Sequence, residues 1–354
     1  MDTIDYLSTL SVTPRWLRAA ANRRALSNFL SVKVSTLKKL VSTISESLPP
    51  EAGFMPPEII TRILKHPDFP EVLNKFGTAT DPTALESSYS NLASTVASLC
   101  AGGTTTEEGV RISPVMVMGT YPKIMVLENG AAKVTATVQF LNEVIGLPMR
   151  DVSMCLERHP ALFGVKITDL KRGAAYMTEI EIGDAGPDGE ENPLAKVVRA
   201  FPHLLTLRVP QMAKVVNFLR SIGVVNVGRF VTRVPPILGS DVDHDLLPKW
   251  EELDRLGITT YNLVRFPAYF SYPLPRILSR YSYLDSKGIP ATSRPLDEVL
   301  RGSDLDFARE LCGEETEGSF VEFAKRMEKE GKEAAESAAP PTPQAVPAAA
   351  PGGE

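Results

Sequence analysis

The chain has 354 residues, 43% of them hydrophobic and 23% charged, with a formal net charge of −5, which suits one elongated domain or two. No apolar run approaches the roughly 18 residues of a membrane helix, and three scattered cysteines, Cys100, Cys155 and Cys312, offer neither a disulfide framework nor a zinc site. The net charge hides a polarity, because residues 195–290 carry 13 basic and 7 acidic residues whereas 291–354 carry 7 and 14.

In chain order, residues 14–45 hold seven basic residues, Arg15, Arg18, Arg23, Arg24, Lys33, Lys38 and Lys39, and no acid. That is the bias of an organelle transit segment. Asp2 and Asp5 oppose this reading, and "VSTLKKLVSTISESL" reads equally as a structured amphipathic helix. "PPEIITRILKHPDFPEVLNKFG" suggests a degenerate outer repeat or a cap. "TATDPTALESSYSNLASTVASLCAGGTTTEEG" has linker composition with one helix around Leu92–Leu99. Residues 1–110 are therefore expected to form a helical and linker region.

A repeat then begins. "YPKIMV", "HPALFG", "FPHLLT", "VPPILG" and "FPAYFS" place Pro122, Pro160, Pro202, Pro235 and Pro267 at gaps of 38, 42, 33 and 32 residues. Three positions after the proline stands a large apolar residue, Phe163, Leu205, Leu238 or Phe270, with Met125 and Val126 near that place in the first unit. Each unit then runs through helical periodicity to a glycine, Gly146, Gly183, Gly223, Gly257 or Gly288, at offsets of 24, 23, 21, 22 and 21 from its proline. In "VPQMAKVVNFLRSIGV" the residues Met212, Val215, Val216 and Leu219 form one apolar stripe ending at a left-handed glycine cap. "VVNVGRFVTRVP" is a second, shorter helix that Pro235 stops. Two such helices cannot bury their stripes alone, so the period predicts stacked repeats with a proline-led turn wedged at each joint. Beyond them, residues 313–354 are acidic, rich in Ala and Pro, and read as a largely disordered tail.

The runs "FPAYFSYPLPRILSRYSYLDSKGI", "VPQMAKVVNFLRSIGV" and "HPALFGVKITDLKRGAAYM" resemble repeats of the mitochondrial transcription termination factor (mTERF) family. The resemblance spans about residues 111–312 and is most specific in the last repeat, at Tyr272, Arg276, Arg280, Leu284 and Gly288. It implies an all-α superhelical solenoid that holds nucleic acid along a basic face, in a mitochondrion or chloroplast, without catalysis, cofactor or membrane association, and acting as a monomer.

The candidate nucleic-acid contacts are Arg158, Lys196, Arg199, Arg208, Lys214, Arg220, Arg229, Arg233, Arg265, Arg276 and Arg280. Arg158, Arg199, Arg233 and Arg265 each precede a repeat proline by two or three positions, so stacking would array them along one edge, as a phosphate backbone requires. The same cations also suit helix C-termini, where they complement the dipole.

Other constellations carry less. "DAGPDGEEN" begins like a calcium loop, but its twelfth position is Ala195 where a bidentate Glu is required, so it reads as an insertion. "DVDHD" reads as the acidic start of the helix containing Trp250, and "CAGGTTTEEG" lacks the lysine of a phosphate loop. His66, His159, His203 and His244 form no catalytic set. Three functions from different classes follow: a duplex-DNA-binding regulator of organellar transcription, a structural RNA-binding component of an organellar ribonucleoprotein, and a protein-binding solenoid.

Overall fold

The computed structural model describes residues 34–48, 66, 68–77, 81–102, 112–183 and 192–338. The transit-like segment before residue 34, the stretch 56–65, the loop 184–191 and the chain end from 339 lie outside the described residues. Every described element is helical, so the fold is all-α as the repeats predict. No described helix is long and apolar enough to cross a membrane. The chain divides into two compact units, Met1–Ser221 with Val225–Gly239, and Ile222–Val224 with Ser240–Glu354. These divisions fall elsewhere than the breaks expected at 110 and 312.

In the first unit, α1 (Val34–Ser47) buries Leu37, Leu40 and Ile44. It is the amphipathic helix anticipated within the arginine-rich segment. Next come α2 (Phe69–Gly77) and α3 (Pro82–Cys100). The expected linker is thus one 19-residue helix. Asp81 caps it by accepting from Thr83 N, Pro82 supplies a preset first turn, and Tyr89, Leu92, Val96 and Leu99 form its buried stripe against α1 and the later helix Gly130–Gln139.

The repeats follow as α4 (Pro114–Thr120), α5 (Gly130–Gln139, prolonged by a π turn over Phe140–Val144), α6 (Met149–Arg158), α7 (Ile167–Glu179), α8 (Pro193–Ala200), α9 (Val209–Ser221) and α10 (Val227–Arg233). Each repeat proline opens a five-residue 3-10 turn: 122–126, 160–164, 202–206 and 235–239 in this unit. Successive turns touch in series. The residue before each of the five prolines sits at φ between −143° and −130° and ψ between 62° and 74°. That conformation lies outside the α region, as the proline ring demands of its predecessor, and it ends the helix. The bulky residue three places on fills the joint: Met125, Phe163, Leu205 and Leu238 are each at most 1% exposed. Burying one such side chain contributes about 1.5–3 kcal/mol.

All five predicted cap glycines have positive φ, from 69° at Gly257 to 101° at Gly183. Side chains of the following repeat close two of these corners: Asn192 Nδ2 donates to Ile145 O at 3.0 Å, and Thr232 Oγ1 accepts from Gly183 N at 2.7 Å. Here α10 presses close on the end of α7, and a Cβ at Gly228 would overlap the carbonyl oxygens of Ile180 and Glu181.

The second unit holds α11 (Leu247–Arg255, entered through a π turn over Val242–Leu246), α12 (Thr260–Arg265), the 3-10 turn 267–271, α13 (Leu274–Ser286), α14 (Leu296–Leu300), α15 (Asp304–Cys312) and α16 (Gly318–Ala338). Asp241 caps the "DVDHD" turn by accepting from His244 N, as a helix start requires. Thr260 Oγ1 closes the Gly223 corner by donating to Ile222 O at 2.6 Å. The joint at "FPAYF" is fastened from beneath by Lys249, 4% exposed, whose Nζ donates to Phe270 O at 2.8 Å and pairs with Asp245 at 2.6 Å. Helix α16, 21 residues long, occupies half of the segment read as a tail. It packs on α13, with Phe320 only 2% exposed among Tyr283, Phe307 and Phe323.

Candidate nucleic-acid interface

The short second helices of the first unit bury one face and present the other. Val152, Cys155 and Leu156 on α6, Leu194, Val197 and Val198 on α8, and Val227, Phe230 and Val231 on α10 point into the core. Helical geometry then turns Arg158, Lys196, Arg229 and Arg233 to solvent, and all four are exposed. Arg158, Arg199 and Arg233 each stand in a last helical turn, so the dipole favours their charge. Arg199 also bridges two repeats, its Nη1 lying 3.1 Å from Asp151 Oδ2 on α6. It is half-buried and already shares its charge.

The polar side of α9 continues the pattern. Met212, Val215, Val216, Phe218 and Leu219 face inward, leaving Lys214 and Arg220 exposed, with Arg208 exposed just before the helix. The stretch 192–240 thus contributes Lys196, Arg199, Arg208, Lys214, Arg220, Arg229 and Arg233 and not one Asp or Glu. Six of these seven are exposed. No acidic residue of the same stretch interrupts these cations.

In the second unit the cations behave differently. Residues 241–290 carry six basic and seven acidic residues. Lys249 is internal, Arg255 is held by the buried Glu252 at 2.6 Å, and Lys287 pairs with Glu314 at 2.7 Å. Lys287 and the Tyr283 hydroxyl together hold the Glu314 carboxyl below the usual range. Arg265, exposed at the end of α12, sits over the Tyr261 ring at 5.8 Å.

Two candidates require correction. Arg280 is fully buried and cannot touch a nucleic acid: its guanidinium donates to Val299 O, Arg301 O, Gly302 O, Ser303 O and Asp304 Oδ1. Burial pulls its pKa below the ordinary arginine value, and Asp304 acts against that pull. A buried cation persists only when acceptors surround it, and here both terminal nitrogens are supplied while Nε has no partner. Arg276 is likewise committed, donating to Leu300 O at 3.2 Å and Gly302 O at 2.6 Å. The "arginine pair" of the last repeat is therefore a structural fastener. Sequence reading overlooked Arg301, exposed and stacked over Phe266 at 5.2 Å, because it lies outside the periodic motif.

The family model of mTERF matches residues 189–308. That stretch contains the joints at Pro202, Pro235 and Pro267 and the whole acid-free surface from Lys196 to Arg233. The joints at Pro122 and Pro160 precede it, and their identical turn geometry extends the same architecture toward the N-terminus. The mTERF family is one of organellar, nucleic-acid-binding, non-enzymatic factors.

Proposed function

We propose that this chain, with its mTERF-family region over residues 189–308, is an organellar nucleic-acid-binding factor of gene expression, in a mitochondrion or chloroplast, that contacts duplex DNA and regulates transcription, its termination in particular. One observation carries the reading: the outward faces of α8, α9 and α10 display cations with no carboxylate between residues 192 and 240. A phosphate backbone binds by exchanging its counterions for such charges. The joints between these helices are packed, with Leu205 and Leu238 at most 1% exposed. Sequence preference would come from the few side chains that reach base edges, or from the cost of deforming the duplex. The factor binds rather than catalyses, and it works as a monomer alongside the transcription machinery.

A second reading has its own support. Residues 241–290 are slightly acidic and 291–354 more strongly so, which suits contact with basic protein neighbours in a ribonucleoprotein whose RNA meets the basic face. One titration separates the two readings: affinity for a mixed-sequence DNA duplex and for a structured RNA of equal length, each measured across salt. Tighter, salt-dependent binding to the duplex is expected. Replacing Lys196, Arg229 and Arg233 together by Gln should lower the salt slope by about 2–3, near 0.9 for each phosphate that is no longer neutralised, with an unchanged melting temperature. Preference for the RNA would select the ribonucleoprotein reading. An unaltered slope in the folded triple variant would remove this face from consideration.

A further inference from the structure

Arg280 meets no ligand, yet nearly all of its donors converge on one turn. It takes the carbonyl oxygens of Val299 at 2.8 Å, Arg301 at 3.0 Å and Ser303 at 3.0 Å, and Asp304 Oδ1 at 2.7 Å. Arg276 adds Gly302 O from the same side. Gly302 turns the chain at φ 73°, and a Ser303–Asp306 capping box starts α15. The carbonyls of this turn are therefore fixed inward.

What the turn presents outward is Arg301. Its guanidinium lies on the Phe266 ring, and Phe266 is the residue after Arg265, whose own guanidinium lies over Tyr261. An arginine stacked on a ring is pre-oriented and keeps its N–H edge directed sideways, toward an in-plane acceptor. Arg276 in turn lies over Tyr272, 6.0 Å from Phe266. Three carboxylates of the adjoining helices have partners of their own: Asp304 with Arg280, Asp306 with Ser303, and Glu298 with Arg294. Screening over about 8 Å lets an exposed arginine act locally in a unit that is acidic in sum.

We infer that Arg301, together with Arg265, forms a phosphate-contacting site of the second unit, and that Arg280 and Arg276 are positioning residues that hold the Leu300–Ser303 turn for it. The ligand is a backbone phosphodiester of nucleic acid, so the inference rests on the nucleic-acid-binding reading above. It adds a binding point that the acid-free face does not contain.

The full chain is titrated with the same DNA duplex and structured RNA. Arg301→Ala should keep its melting temperature, because the Arg280 network uses only the backbone of residue 301. It should weaken binding roughly three- to tenfold and lower the salt slope by about 0.9. Arg301→Lys, which keeps the charge, should recover the slope. Arg280→Lys should show the same reduced slope and also melt earlier, since a lysine cannot fill the fork of acceptors. If Arg301→Ala proves unstable, Arg301→Gln must show the reduced slope in a folded protein. Wild-type affinity and slope in Arg301→Ala would overturn this site while leaving the acid-free face standing. Absence of salt-dependent binding by the wild type to either probe would overturn both.

Discussion

His159 and His203 stand at consecutive joints of the first unit, one just before Pro160 and the other just after Pro202, with ring centroids 6.1 Å apart. Both are half-buried beside their prolines. Burial, with His203 close by, lowers the pKa of His159 from the ordinary 6.5, and its Nε2 is buried without a hydrogen-bond partner. A histidine depressed in the folded state binds its proton more readily when unfolded. Stability is then full above the unfolded value and falls as the pH drops below it. Urea midpoints should therefore decline between about pH 7.5 and about pH 5.5, and His159→Asn should flatten that decline. An equal slope in both proteins would show that the joint tolerates the proton.

Individual helices show where periodicity outweighs composition. Helix α3 has the composition of a linker because Ser and Thr fill its exposed positions, yet Tyr89, Leu92, Val96 and Leu99 keep three- and four-residue steps throughout. Helix α16 is hidden by an Ala- and Glu-rich composition, and its anchors, Phe320 and Phe323, have their partners on α13 and α15, too far along the chain for local patterning to pair them. Phe320→Ala should cost about 3–5 kcal/mol if this helix belongs to the core, whereas a solvated tail would lose nothing measurable in urea unfolding. The meeting of α10 with the end of α7 tests the opposite error, too little space. Gly228→Ala should destabilise by about 1–3 kcal/mol, because the new methyl meets backbone oxygens that no rotamer change can move aside.

Across the molecule, the repeats are legible because proline and glycine impose backbone conformations that survive any context. The five prolines and five glycines all occupy the expected turns. Charge is less legible, since a sequence places a cation on a helix without showing what lies opposite. Arg276 and Arg280 share the spacing of surface arginines, and only the return of residues 299–304 against them makes Arg280 internal and Arg276 half-buried. For the same reason residues 195–290 count as one basic segment in the sequence. In the structure the excess belongs to the part before Gly239, while the cations beyond it are largely paired.

The corner closures also set a grammar for how such a chain can change length. Three of the five glycine corners are closed by a side chain of the following repeat: Asn192 for Ile145, Thr232 for Gly183, Thr260 for Ile222. A complete repeat carries one corner glycine and one closing side chain, so duplicating or deleting it preserves the pairing between neighbours. A cut through the middle of a repeat would separate them, leaving a corner open and a helix face without its neighbour. Growth and shrinkage should therefore proceed in whole repeats, with smaller insertions confined to the connections between a cap glycine and the next helix.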